Sequence, residues 1–257
     1  MIEVSNLTKV YKVKLEKTKE KKAQKVDKYA VNQLNFVAKP GVITGLIGEN
    51  GAGKTTTMRM LATLIQPTEG VAKINGLDVQ KDSSKVRQQI GVLFGGEPVL
   101  YDRLSARENI VYFAELNGMD RETANARAEV LAERLGLGKF LDQKVKDFSR
   151  GMKQKAAIAR TIIHDPSVII FDEPTTGLDI TAARVVYDFL EQFREEGKTI
   201  LLSSHSMYEV ERLCDTVVIV HQGQKREEGT LPELKAKYNQ ERFEDIFIEL
   251  IGGVNHE

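Results

Sequence analysis

The chain has one cysteine, no tryptophan and six prolines in 257 residues, and no apolar run near the roughly 18 residues that a membrane-crossing helix needs. The single thiol, Cys214, excludes an internal disulfide. Its setting in Arg212-Leu213-Cys214-Asp215, ahead of an apolar strand, gives it a packing role. No apolar segment of the kind a secretion signal carries opens the chain, so the expectation is a cytosolic protein that spans nothing itself. Net charge is missing too: 37 Lys plus Arg balance 37 Asp plus Glu, and no global basic field invites nucleic acid. The length suits one large α/β domain, or a core with an inserted lobe.

What is present begins with Gly48-Glu49-Asn50-Gly51-Ala52-Gly53-Lys54-Thr55, preceded by the mostly apolar Ile43 to Ile47. The apolar stretch predicts a buried strand. The glycines let the backbone wrap a phosphate chain with N–H groups inward, and a helix starting near Gly53 adds its positive N-terminal pole. Lys54 is placed to reach the β- and γ-phosphates and the Thr55 hydroxyl to ligate Mg2+, with Gly48, Asn50, Gly51, Gly53 and Thr56 as the rest of the nucleotide-binding set. A second stretch, Val168-Ile169-Ile170-Phe171-Asp172-Glu173, ends four apolar positions in two acids. Its apolar part predicts a strand buried on both faces of a parallel sheet. Asp172 is the candidate metal residue, acting through a water, and Glu173 the candidate base for the attacking water. Together the stretches imply ATP binding and hydrolysis, with ATP and Mg2+ as the ligands.

Strand-like segments fall at Ile2 to Val4, Leu34 to Ala38 and Val42 to Leu46, and a helix at Lys54 to Ile65. Val71 to Ile74 enters a hairpin turn at Asn75-Gly76. From 83 to 146 the pattern turns helical, with apolar residues at Ile110, Phe113, Ala114 and Leu116, then Ala128, Leu131 and Leu135. This is the expected inserted helical lobe. Strand and helix then alternate again up to Val220.

Through these residues and the motifs that follow, the whole chain resembles the ATP-binding subunit of an ABC transporter. The resemblance implies an α/β fold: a RecA-like P-loop core with an antiparallel β subdomain and an inserted α-helical subdomain. It also implies a homodimer of such subunits in head-to-tail order, two ATPs between them, and a separate transmembrane permease subunit. The subunit would sit on the cytoplasmic face of the cell membrane. Phe148-Ser149-Arg150-Gly151-Met152 matches the signature loop, where Ser149 and the Gly151 amide cap the γ-phosphate of the opposite subunit. Gly177-Leu178-Asp179 matches the loop coupling the two sites, and His205 the switch histidine. Asp179 also suits a helix N-cap. Tyr11 matches the aromatic that stacks on adenine, with Tyr29 as the alternative. His164, His221 and His256 read as structural or solvated.

Three features depart from the family pattern. The lid loop, Phe94-Gly95-Gly96-Glu97-Pro98, has no glutamine, and Glu97 is the oxygen available in its place. Arg150 and Met152 replace the commoner glycine and glutamine. The segment 12–28 holds eight lysines against Glu16, Glu20 and Asp27, and reads either as a solvated loop or as a contact for anionic lipid or an acidic partner. Tyr101 to Asn109, the Phe-Ser-Arg-Gly-Met-Lys-Gln stretch and Phe243 to Phe247 resemble the bacterial exporter branch that includes sodium-extrusion ATPases. Sodium export is what that likeness implies. The competing readings are a non-catalytic nucleotide sensor and a soluble ATPase of the same family unconnected with transport.

Overall fold

The structure, a computed structural model, describes residues 1–14, 25–96 and 100–252. The centre of the lysine-rich segment, Glu97 and His256 lie outside the described residues. In chain order the elements begin with a hairpin, β1 (Ile2–Lys14) and β2 (Lys25–Ala38), then β3 (Ile43–Ile47), α1 (Lys54–Leu61), β4 (Glu69–Ile74), β5 (Leu77–Asp78), α2 (Ser83–Gln89) and β6 (Ile90–Leu93). A helical stretch follows: α3 (Ala106–Leu116), α4 (Arg121–Arg134) and, after two short 3-10 turns, α5 (Arg150–Ile162). The chain then runs through β7 (Val168–Asp172), α6 (Ile180–Glu195), β8 (Thr199–Ser204), α7 (Met207–Leu213), β9 (Thr216–His221), β10 (Gln224–Thr230), α8 (Leu231–Tyr238) and α9 (Phe243–Leu250).

The strands form two sheets. One is antiparallel, in the order β2-β1-β4-β5. The other has the order β10-β9-β3-β8-β7-β6 and is parallel except for the β9–β10 edge pair. Every residue of β3 and β7 is buried, as expected of strands covered on both faces. The period-two alternation of a strand divides them between two cores. Ile169 and Phe171 join the cluster under the helices α3 to α6, whereas Val168 and Ile170 join the cluster beneath α1 and the antiparallel sheet. Each large side chain so buried stabilises the fold by about 1.5–3 kcal/mol.

Two expected boundaries change. The helical lobe does not start at 83: β6 pairs in parallel with β7, and Val86 and Ile90 pack in the cluster beneath α1, so α2 and β6 belong to the core. The segment 12–28 is not wholly a loop either. Lys12 pairs with Asp27 and Val13 with Val26, so both its ends extend the first hairpin. Charged residues there sit on a sheet edge, where they deter unwanted strand pairing.

His164 lies just past the end of α5, half-buried against β6, with Nε2 3.1 Å from the Ile90 carbonyl and Nδ1 without a hydrogen-bond partner among the described residues. Burial lowers its pKa below the ordinary 6.5, helped by Arg127 and Lys198 and opposed by the Ile90 bond and Asp165. An unfolded chain therefore takes up a proton near pH 6.5 that the folded chain refuses, and stability falls as pH drops below that value. The melting temperature is expected to fall less between pH 7.5 and 5.5 in His164→Gln than in the unaltered chain; thermal unfolding at both pH values decides, and equal falls would refute it.

Candidate active site

The phosphate loop joins β3 to α1, and its shape is enforced by what surrounds it. Gly51 and Gly53 have φ of 85° and 106°, in the left-handed region that disfavours side chains. A Cβ on Gly48 would stand 2.2 Å from the Val220 carbonyl, and one on Gly53 2.4 Å from the Ala30 carbonyl. The loop is thus gripped by β9 on one side and β2 on the other, and the Gly223 amide donates to the Ala52 carbonyl at 3.0 Å. Lys54 is buried and donates to the carbonyls of Gly48 (2.7 Å) and Glu49 (3.0 Å). Burial lowers its pKa, while the carboxylates of Glu173, Asp172 and Glu49 counter that and favour the charged form.

Asp172 closes β7 beside the loop. It accepts from Thr55 Oγ1 at 2.8 Å through one oxygen and from Ser203 Oγ on β8 through the other. Glu173 follows in left-handed backbone, φ 48°, a conformation that costs a glutamate about 1–3 kcal/mol. It is fixed by its amide, which donates to Ser203 O (3.2 Å) and Ser203 Oγ (3.1 Å). The Glu173 carboxylate accepts from Thr176 Oγ1 at 3.1 Å and faces His205 Nδ1 at 3.4 Å. A cavity of about 150 Å3 is lined by Ala30, Asn50, Gly51, Gly53 with Lys54, Thr55, Thr56 and Glu173. A cleft of about 350 Å3 beside it runs past Gly48, Glu173 and His205 to Met207 and Phe247.

These residues fit a magnesium nucleotide. Among the described residues no group of three or more His, Cys, Asp or Glu could hold a metal alone. Mg2+ binds through one or two protein oxygens and is completed by phosphate and water, which matches the paired Thr55 hydroxyl and Asp172 carboxylate.

Ser149, Gly151 and Asp179 form a separate group. Ser149 caps α5 by accepting from the Met152 amide at 3.3 Å, and Asp179 caps α6 by accepting from Ala182 at 2.8 Å. The two helix starts touch, since a Cβ on Gly151 would lie 3.3 Å from Ala182 Cβ. None of the three lines the phosphate cavity. Arg150 is exposed and does not line that cavity: it donates to the Thr176 carbonyl at 3.1 Å and lies over Gly177. Tyr11 and Tyr29 are both exposed and stand opposite Lys28 and Val10, so neighbouring register positions put them on opposite faces of the hairpin. At most one of them can face the nucleotide. Sequence reasoning missed Ser203, Thr176, Ala30 and Phe247.

A glycine cradle at a strand-to-helix turn, with a buried lysine and paired acids on the next strand but one, defines a P-loop nucleoside triphosphatase. The family model described as ABC transporter matches residues 31–176. The chain is similar to the ABC transporter ATP-binding protein NatA of Bacillus subtilis (strain 168), at 48% identity over 217 residues, 84% of this chain and 87% of that protein. It is 40% identical to the Nod factor export ATP-binding protein I of Burkholderia orbicola (strain AU 1054) over 203 residues, 79% of this chain and 66% of that longer protein. A solved ATP-binding subunit of an ABC transporter superposes with a TM-score of 0.83 at 29% identity, covering 97% of this chain and 98% of that one. A dimeric ATP-binding cassette in a post-hydrolysis state, bound to ADP and phosphate, superposes with a TM-score of 0.76 at 26% identity, covering 90% and 99%. The chain belongs to the ABC transporter ATP-binding family, and it is an ATP-hydrolysing subunit that works with Mg2+.

Proposed function

We propose that this subunit drives export through a separate permease at the cytoplasmic face of the membrane, with sodium ion the first cargo to test given the likeness to NatA. Among the described residues no helix is long and apolar enough to cross a membrane, and this reading assigns the transport path to another polypeptide. The observation that carries the catalytic part is the convergence of the Thr55–Asp172 pair with Glu173 and His205 at the mouth of the glycine cradle.

In this reading the loop amides of Gly48, Asn50, Gly51 and Gly53 and the starts of Lys54, Thr55 and Thr56 bind the phosphates, and Lys54 neutralises their charge. Thr55 and, through a water, Asp172 would hold Mg2+, which would supply charge compensation to the phosphates. Glu173 accepts the proton of the attacking water, and His205 steadies Glu173 and the γ-phosphate. Ser149 and Gly151, which do not line the chain's own phosphate cavity, serve the site of a second copy, and Asp179 lies between the two sites in that homodimer. Tyr11 stacks on the base. The cleft of about 270 Å3 between β6 and the helices, lined by Val92, Phe113, Asn117 and His164, is the seat for the permease.

The test is ATP hydrolysis by the purified chain, alone and co-expressed with its permease. Turnover altered by the permease is expected. Binding without turnover in either state would replace this reading with that of a nucleotide sensor.

A further inference from the structure

Glu209, on α7, has no part in the roles above, yet three hydroxyls converge on its half-buried carboxylate. Thr175 Oγ1 donates to it, Tyr187 OH donates at 2.8 Å and Ser204 Oγ at 2.6 Å. A carboxylate has only acceptors to offer, so hydroxyl donors from three different elements make a matched set. Burial and the Glu209 charge push the Tyr187 phenol well above its ordinary pKa, which keeps it a donor at neutral pH.

The connections are specific in where they lead. Ser204 Oγ, while donating to Glu209, accepts from the Ser206 amide at 3.0 Å, and Ser206 Oγ accepts from the Glu209 amide at 3.4 Å. These bonds close a ring around the turn 204–206, and His205 is the residue at its centre. The His205 side chain is 60% exposed, so packing does not fix it; its backbone does. At the other end of the carboxylate, Thr175 sits in the loop that leaves Glu173, whose left-handed backbone depends on firm flanks. Tyr187 ties both to the fixed body of α6.

We propose that Glu209 is a positioning residue for hydrolysis, holding His205 and Glu173 at their working separation through Ser204 and Thr175. This rests on the reading of Glu173 and His205 given above.

The test compares Glu209→Ala, Glu209→Gln and His205→Ala in the full-length chain. Glu209→Ala is expected to lower kcat by on the order of 100-fold, the effect of a misplacement near 1 Å, with KM for ATP within about twofold. Glu209→Gln keeps an acceptor oxygen on the same stem and is expected to retain more turnover, which separates positioning from loss of fold. Adding Glu209→Ala to His205→Ala is expected to have a smaller effect than Glu209→Ala alone. A second readout does not depend on turnover. Among the four histidines, the His205 ring Cε1–H resonance is identified by its loss in His205→Ala. It is expected to shift and broaden in Glu209→Ala, with those of His164 and His221 unmoved. An unmoved His205 resonance, or full kcat in Glu209→Ala beside an inactive His205→Ala, overturns the proposal. Full turnover in His205→Ala overturns the reading beneath it instead.

Discussion

Glu173→Gln is expected to lower ATP turnover by on the order of a thousandfold, the weight of a general base, while ATP binding is preserved. Glutamine has the shape of glutamate and can still accept from the Thr176 hydroxyl, which lies 3.1 Å from the carboxylate. What it cannot do is take a proton from water. The cradle of the phosphate loop is untouched, since Glu173 contributes no donor to it. Binding and closure should therefore proceed and the cycle should stop there, so that the variant accumulates as an ATP-bound dimer. Phosphate release followed in steady state, together with size-exclusion chromatography in ATP, decides the matter. Unchanged turnover would remove Glu173 from the role of base.

Lys54→Ala is expected to act one step earlier, on binding. The ammonium is buried, and the Glu173, Asp172 and Glu49 carboxylates partly offset the lowering of its pKa by that burial. Removing it takes away a charge-assisted bond to phosphate and leaves those acids to repel the polyphosphate. A loss of about 3 kcal/mol, or roughly 150-fold in affinity, follows for a desolvated charge pair. Titration with a fluorescent ATP analogue measures it. Affinity within twofold of the unaltered chain would undo the assignment.

The two variants test the parts of the site that were easiest to read in the sequence. Gly48 to Thr55 and Val168 to Glu173 are each contiguous, and each is attached to a strand whose mostly apolar run announces burial. Ser203 and Thr176 were not legible for the opposite reason. They are ordinary hydroxyl residues, and only the pairing of β7 with β8 brings Ser203 to Asp172. Phe247 reaches the cleft from α9, far along the chain, and no local pattern signals that return. The fold shows the same division. The parallel strands β3, β7, β8 and β9 were legible because they are buried on both faces. The polar edge strand β10 and the helices α8 and α9 had no such signal, and the charged ends of the first hairpin read as loop because lysine alternates there with few apolar partners. The boundary at 83 was misplaced because α2 has helical composition but packs on the core, a fact of tertiary contact rather than of periodicity.

The left-handed glutamate has an implication for anyone reshaping this enzyme. At φ 48° the backbone of residue 173 would be more comfortable as glycine or asparagine. Selection for foldedness alone would therefore drift away from the acid, and a library ranked by melting temperature would promote inert members at this position. Robustness and turnover are traded against each other at one residue, and only an assay that counts released phosphate keeps the working sequence in view.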